Sequence, residues 1–419
     1  MGSDIQFSAD GGFETILAEG LVQPVFQPVV AFADEQPVGF EALARGPKGR
    51  FHGAAALFAA AARTGRSAEL DWLCTNVAGR RYREADLSGL ALFVNVNPDT
   101  LATDPPNDVA AAWADLTREE DVVLEITERS VMREPAGLLK AVVDARQRSV
   151  RIAIDDLGAE PASLVAMPLF NPDIIKLDRS IIQSGSDSWA VSQVVNAVLH
   201  DAHRNGTQIL AEGIERPEHV AVARSLGATL GQGWLYGRPG PLPRNVRASE
   251  LPLTRVKRRQ ASLNSPFGAL LAKKAELIPL SSDLFAMLAA HIENQASRTT
   301  NPGILAVNLG DGDVDDEARI RLTYLSNRGI EVFVFGTRVP RSLGGRIRCV
   351  PLADNDPLAR ERTVLFVGTH YGSGVFARRR TAGPEDDSWE GGTCYDPDRV
   401  VEATLTLVQR LPTATGLSS

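Results

Sequence analysis

Between Leu21 and Gly233, apolar runs of strand length alternate with longer stretches of helical spacing. No other feature of the chain constrains its fold as much. Val25–Ala33 and Val38–Leu43, split by the turn Asp34-Glu35-Gln36-Pro37, read as a β-hairpin. Helical spacing over residues 54–86 comes next, then an apolar run from Leu90 to Asn97 that Pro98 closes. Further strand-like runs lie at 122–128, 151–156, 173–178, 208–213 and 228–233. Helical stretches at 109–116, 134–147, 189–204 and 217–226 separate them. Such alternation implies a parallel sheet, and the number of units favours a TIM-like (β/α)8 barrel over an open sheet. The opening hairpin makes the first strand antiparallel.

The polar residues of these runs fall at one end. Glu41, Asn95, Glu125, Asp155, Asp156, Lys176, Glu212 and Gln232 each stand at or near the carboxyl end of their strand. In a barrel those ends converge on one face. Asp155 and Asp156 are neighbours, and neighbours on a strand point to opposite faces. Both can serve one site only if the strand stops between them and the chain turns.

Five carboxylates in one barrel mouth would repel one another, and cations relieve that repulsion. The donors are oxygens, with Asn95 adding an amide and no Cys or His among the strand ends, so the expected ions are hard ones, Mg²⁺ or Mn²⁺. A pair of such ions suits in-line displacement at phosphorus. Lys176 would orient or deprotonate the attacking water, and Arg45 would clamp a phosphate. A Schiff-base lysine of an aldolase-type barrel is the rival role for Lys176, but that chemistry has no use for so many acids.

Composition narrows the class. A formal net charge of -8 argues against a nucleic-acid-coating protein. The 3 cysteines, Cys74, Cys349 and Cys394, are too dispersed for a disulfide framework or a zinc site, which points to a reducing cytoplasm. The N-terminus carries no signal-peptide pattern, and the longest apolar tract, residues 53–62, is too short to span a bilayer.

Residues 14–242 resemble the EAL domain, the cyclic di-GMP phosphodiesterase barrel. The matching pieces are Phe26-Gln27-Pro28-Val29-Val30, Glu41-Ala42-Leu43-Ala44-Arg45, Val94-Asn95-Val96-Asn97-Pro98 and Glu125-Ile126-Thr127-Glu128. Further along come Asp155-Asp156-Leu157-Gly158, Ile175-Lys176-Leu177-Asp178, Ala211-Glu212-Gly213-Ile214-Glu215 and Gly231-Gln232-Gly233. The resemblance implies hydrolysis of cyclic di-GMP to linear pGpG with two Mg²⁺ or Mn²⁺ ions, in a homodimer joined through the EAL domain. It implies metal ligation by Glu41, Asn95, Glu125, Asp155, Asp156 and Glu212, with Lys176, Glu212 and Glu41 catalytic. It implies substrate contacts from Gln27, Arg45, Gln232 and Asp178, and a loop anchor at Glu128. One departure stands out. Where the family runs Phe-Gly-Thr-Gly-Tyr after the paired aspartates, this chain has Leu157-Gly158-Ala159-Glu160-Pro161. Pro161 fixes φ and removes a donor, so the loop takes another path. In the family this loop couples metal binding to dimerisation. The alternative expectation is therefore a weakly active or inactive barrel that binds cyclic di-GMP as a receptor.

A shift to Pro, Arg and Ser after Pro239 marks a boundary. The expected division is a barrel over 1–246, a solvated linker over 247–262 and a small α/β domain over 263–413. In that domain helices are expected at 282–294, 315–327 and 398–411, and strands at 303–309, 330–335, 347–352, 363–367 and 374–378. Thr323-Tyr324-Leu325, Val334-Phe335-Gly336, Asp356-Pro357-Leu358 and Cys394-Tyr395-Asp396-Pro397 resemble the DICT domain, a presumed sensor, which implies regulation of the barrel. Asp311, Asp313 and Asp315 imitate the start of a calcium loop, but Asp316 and Leu322 occupy the positions of its Gly and Glu. They read as an acidic helix start. His200 and His203 read as a solvated helix face, and the cysteines as idle thiols.

Overall fold

The computed structural model describes residues 11–87, 89–97, 100, 107–127, 142, 145–157, 167–184, 189–256, 265–271, 277–299, 303–368, 371–380 and 388–411. The chain divides into two compact units. The first holds residues 1–159 and 172–256, and the second holds 160–171 and 257–419.

In the first unit β1 (Val25–Ala31), β2 (Pro37–Leu43), β3 (Ala91–Asn95), β4 (Asp121–Thr127), β5 (Arg151–Leu157), β6 (Ile174–Leu177), β7 (Gln208–Ala211) and β8 (Leu230–Gln232) form a closed barrel. Strand β1 runs antiparallel to both β2 and β8, and the other pairings are parallel. The β1–β2 turn bends at Glu35, in the left-handed region at φ 56, while the Asp34 side chain accepts the Gln36 N–H.

A helix and a strand differ from the expected bounds. Helical spacing predicts one helix over 54–86, whereas Ala54–Arg63 and Ser67–Glu84 are separate helices. Gly65, at φ 68, turns the chain between them, a conformation glycine adopts at little cost. Strand β5 does not stop between the paired aspartates either. It continues to Leu157, and its pairing with β6 slips between Ile154 and Leu157. Such a bulge re-aims side chains without ending a strand. The predicted helix at 134–147 and the altered loop at 159–161 lie largely or wholly outside the described residues.

Inward-pointing residues fill the barrel. Val29, Ala91, Phe93, Val123, Ala153, Ile174, Leu210 and Leu230 belong to one buried cluster, and Leu253, from beyond the last strand, joins it. Leu253 sits in a stretch expected to be solvated linker. Residues 249–256 instead form a strap bound to the strand-start side of the barrel. Ser249 donates to Asp34, and the Thr254 N–H donates to Gln208 Oε1 at 2.7 Å. Arg151 donates to the carbonyls of Leu253 and Thr254, at 2.9 and 3.3 Å. Asp173 accepts the N–H of Val256 at 3.1 Å and that of Ile152 at 2.9 Å. Arg255 caps the Ser149 carbonyl and pairs with Asp121. Residues up to 256 accordingly belong to the barrel unit.

The second unit is a sheet in the order β12-β11-β10-β13-β14-β15-β9. Its strands are β9 (Ile278–Leu280), β10 (Gly303–Asn308), β11 (Ile330–Gly336), β12 (Ile347–Pro351), β13 (Glu361–Gly368), β14 (Gly372–Arg379) and β15 (Trp389–Cys394). Helices Ser282–Arg298 and Asp316–Asn327 cover one face, where Ala289, Ile292, Leu322 and Leu325 meet Val364 and Phe366. Helix Pro397–Val408 packs on β13 and β14, with Gly372 against Pro397 and Val400. Asp315 is an N-cap whose side chain accepts the Ala318 N–H at 2.6 Å, and Asp311 and Asp313 face Arg379 and Arg338. No helix among the described residues is long and apolar enough to cross a membrane.

Leu253→Ala leaves a cavity in the barrel floor and is expected to cost about 2–5 kcal/mol of barrel stability. Urea unfolding of the full chain reads this as a lower midpoint, and a change within about 0.5 kcal/mol, the ordinary range for surface sites, would show that the strap closes nothing.

Candidate functional site

Alternation along each strand stacks a polar layer on the apolar one. Asn95 follows Phe93 by two residues, Glu125 follows Val123, Asp155 follows Ala153, Lys176 follows Ile174, Glu212 follows Leu210 and Gln232 follows Leu230. A period of two returns each polar side chain to the barrel interior. Residues from distant parts of the chain therefore share one level at the carboxyl ends of the strands.

The centre of that layer is the Lys176 ammonium, which is 1% exposed. Its Nζ lies 2.9 Å from Glu125 Oε1, 2.9 Å from Asp155 Oδ1, 2.9 Å from Glu212 Oε1 and 3.6 Å from Glu41 Oε2. Burial alone would discharge it, but the charges of Glu125, Glu212, Glu41 and Asp155 hold its pKa well above the ordinary lysine value. Lys176 is a fixed positive charge here, which suits orienting a water better than removing its proton.

Glu41 accepts hydrogen bonds on both oxygens, from Asn95 Nδ2 and from Gln232 Nε2, each at 2.7 Å. Burial raises its pKa, yet the Lys176 charge and these bonds prevail and leave it lowered. The Asn95 amide nitrogen is committed to Glu41, so its oxygen is the atom left for a cation. Gln232 also reaches Gln27 Oε1 at 3.4 Å, and Gln27 donates to the Gly237 carbonyl. Glu125 behaves differently from Glu41. Burial, then the charge of Glu41, pushes it well above the usual carboxylate range against the pull of Lys176. Burial likewise lifts Glu212 to about 7, with Lys176 opposing.

One ammonium does not balance four acids. Unit charges about 4 Å apart interact by roughly 4 kcal/mol at the effective dielectric of a protein site, so the surplus carboxylates gain protons or bind cations. Glu125 Oε2 is buried with no hydrogen-bond partner among the described residues. An oxygen-only donor set with an orphaned buried carboxylate oxygen fits hard divalent ions. In the present arrangement no three His, Cys, Asp or Glu among the described residues already stand at metal-ligating spacing.

The other sequence-derived candidates stand further out. Arg45 is partly buried and donates to the Ala44 carbonyl at 2.8 Å. Asp178 accepts the Ser180 N–H at 2.8 Å, at the start of helix Arg179–Ser184. Asp156 lies in β5 by its backbone, and its side chain and all of Glu128 fall outside the described residues.

Two cavities flank the acids. One, of about 170 Å³, is walled by Gln27, Glu41, Arg179, Glu212, Glu215 and Trp234 among others. Arg179 and Trp234 both fall beyond the strand-like runs, so strand period does not mark them in the sequence. The other, of about 300 Å³ and largely apolar, lies between Asn95 and Glu125 on one side and Phe58, Asp71 and Cys74 on the other. Burial, then the Asp71 charge, raises the Cys74 thiol to about 12, so it is no nucleophile at neutral pH.

The EAL domain family matches residues 13–239. The chain is 32% identical over 168 residues to an Escherichia coli protein named probable cyclic di-GMP phosphodiesterase PdeN, covering 40% of this chain and 32% of that one. It is 33% identical over 120 residues to cyclic di-GMP phosphodiesterase RocR of Pseudomonas aeruginosa, covering 29% and 31%. The manganese and cyclic diGMP complex of Klebsiella pneumoniae BlrP1 superposes with a TM-score of 0.47 at 28% identity, covering 52% of this chain and 56% of that one. The chain spans about three tenths of the length of the curated relatives it matches, from 28% to 32% in the first of them.

Without divalent cations, this cluster makes stability pH-dependent. Glu212 sits at about 7 when folded and has an ordinary value of 4.5, so the unfolded chain holds fewer protons in between. Stability from this group is full below about 4.5 and is lost as pH rises through about 7. The melting temperature in a chelator is expected to fall across that window, and Glu212→Gln to flatten the fall. The opposite contribution of the lowered Glu41 lies below its ordinary value of 4.5, outside the window. A melting temperature that rises between pH 5 and 7 would contradict the assignment.

Proposed function

The chain belongs to the EAL domain family, and from that premise we propose that it is a metal-dependent phosphodiesterase that hydrolyses cyclic di-GMP to linear pGpG. The observation that carries this reading is the inward layer of acids gathered around Lys176, with Glu125 Oε2 buried and without a hydrogen-bond partner among the described residues. Glu41, Asn95, Glu125, Asp155, Asp156 and Glu212 would hold a pair of Mg²⁺ or Mn²⁺ ions. Such ions, when bound, acidify a water and neutralise charge on the phosphate.

In this reading the chain's own residues do the positioning. Lys176 keeps one positive charge in the layer throughout and orients the attacking water. Asn95 and Gln232 clamp Glu41 through both of its oxygens, so its carboxylate plane is set before anything binds. Gln27 and Gln232 line the approach, Arg45 and Asp178 contact the substrate, and Glu128 anchors the loop after the paired aspartates. The second unit resembles a DICT domain and would tune the barrel, through dimer geometry.

A second reading has its own support in Glu160-Pro161, which replace the glycine and tyrosine of the family loop. On that reading the barrel binds cyclic di-GMP as a receptor with little or no turnover. Chromatography of a reaction with pure full-length protein, cyclic di-GMP and Mn²⁺ separates the two. The phosphodiesterase reading predicts pGpG, and binding without pGpG at high protein concentration favours the receptor. Glu41→Ala is expected to abolish turnover by removing both the clamp and a ligand, and near-wild-type hydrolysis by that variant would refute the assignment of Glu41.

A further inference from the structure

Trp234 is a large aromatic side chain left 52% exposed at the wall of the cavity that Glu41 and Glu212 also line. The Arg238 guanidinium stands over its ring, 3.8 Å from the centroid, the closest such contact among the described residues. An indole under a guanidinium is a flat, cationic, weakly hydrated surface.

The backbone that carries it is held on both sides. A side chain at Gly233 would lie 2.1 Å from the Ile214 carbonyl oxygen, so the chain passes there only as glycine. The Ile214 N–H donates to the Gln232 carbonyl and the Leu235 N–H donates to the Ile214 carbonyl, both at 3.0 Å. Tyr236 and Gly237 donate to the Gly233 carbonyl at 3.1 Å, and Gln27 donates to the Gly237 carbonyl at 3.1 Å. The turn that presents Trp234 is therefore bound to β8, to the segment after β7 and to a cavity-wall glutamine. An aromatic side chain set on a fixed turn gives up little conformational entropy when something stacks on it.

Resting on the phosphodiesterase reading above, we propose that Trp234, backed by Arg238, is the stacking platform for one purine base of the cyclic dinucleotide. The indole takes the π-face of the base. The guanidinium covers the opposite face of the ring and adds positive charge behind the stack. A stacked surface reads the size of a base rather than its hydrogen-bonding edge, so the platform favours purines over pyrimidines and leaves guanine selection to other groups. Trp234 lies on the cavity wall and not among the groups around the Lys176 ammonium. It binds ground state and transition state alike and acts on affinity.

The test titrates full-length protein with cyclic di-GMP, with Ca²⁺ in place of the activating ions, following tryptophan fluorescence and calorimetry in parallel. Wild type is expected to bind with quenching of tryptophan emission. Trp234→Phe is expected to keep most of the affinity and lose the quench. Trp234→Ala is expected to bind roughly 5- to 150-fold more weakly, the range that stacking one base is worth. With Mn²⁺, Trp234→Ala is expected to raise KM by a similar factor at nearly unchanged kcat. Cyclic di-UMP is expected to bind wild type more weakly and to be less sensitive to the substitution. If wild type binds cyclic di-GMP but Trp234→Ala binds within twofold of it, or Trp234→Phe keeps the quench, the platform is refuted and the phosphodiesterase reading stands. If folded wild type does not bind cyclic di-GMP at all, both fall together.

Discussion

Everything at the mouth of the barrel depends on a buried ammonium held by more negative charge than it can neutralise. Lys176 contacts Glu125, Asp155 and Glu212 at 2.9 Å each and Glu41 at 3.6 Å. Burying a charge is costly, and burying several is tolerable only when each keeps a partner of opposite sign. Lys176 holds the acids together, and on the proposed reading their surplus charge would draw divalent cations. The same imbalance separates the acids: Glu41, hydrogen-bonded on both oxygens, stays acidic, while Glu125 and Glu212 are driven towards holding protons.

Much of this was readable from the chain because strand periodicity is rigid. An inward apolar residue followed two positions later by a polar one, as in Phe93 to Asn95 or Ile174 to Lys176, leaves one geometric outcome in a parallel barrel. The antiparallel first strand was legible too, since Asp34-Glu35-Gln36-Pro37 is too short for anything but a hairpin. The direct hydrogen bonds of Asn95 and Gln232 to Glu41 were not legible, because strand order gives levels and neighbours but no rotamers.

The parts that escaped share a physical cause. Strand β15 contains Gly391 and Gly392, which argue against a strand, yet a side chain at Gly391 would lie 1.9 Å from the Phe376 carbonyl oxygen. Close backbone approach selected that glycine, and approach distance leaves no pattern along the chain. Trp234 stands just past Gly231-Gln232-Gly233 in a stretch without strand or helix periodicity, so nothing in the sequence marks it. The strap over 249–256 is tied largely through its own backbone N–H and carbonyl groups, which every residue possesses, so its Pro- and Arg-rich composition resembles that of a spacer.

That strap sets where the barrel can be separated from the C-terminal part of the chain. Its anchors Asp121, Arg151, Asp173 and Gln208 stand three or four residues before Glu125, Asp155, Lys176 and Glu212, within or one residue outside the same strands. The family match ends at residue 239, while the barrel unit runs to 256. The unit of inheritance and the unit of folding thus have different edges. A recombination event or protease cut between those edges would leave the recognisable sequence intact and open its underside to water, loosening the very strands that carry the acids.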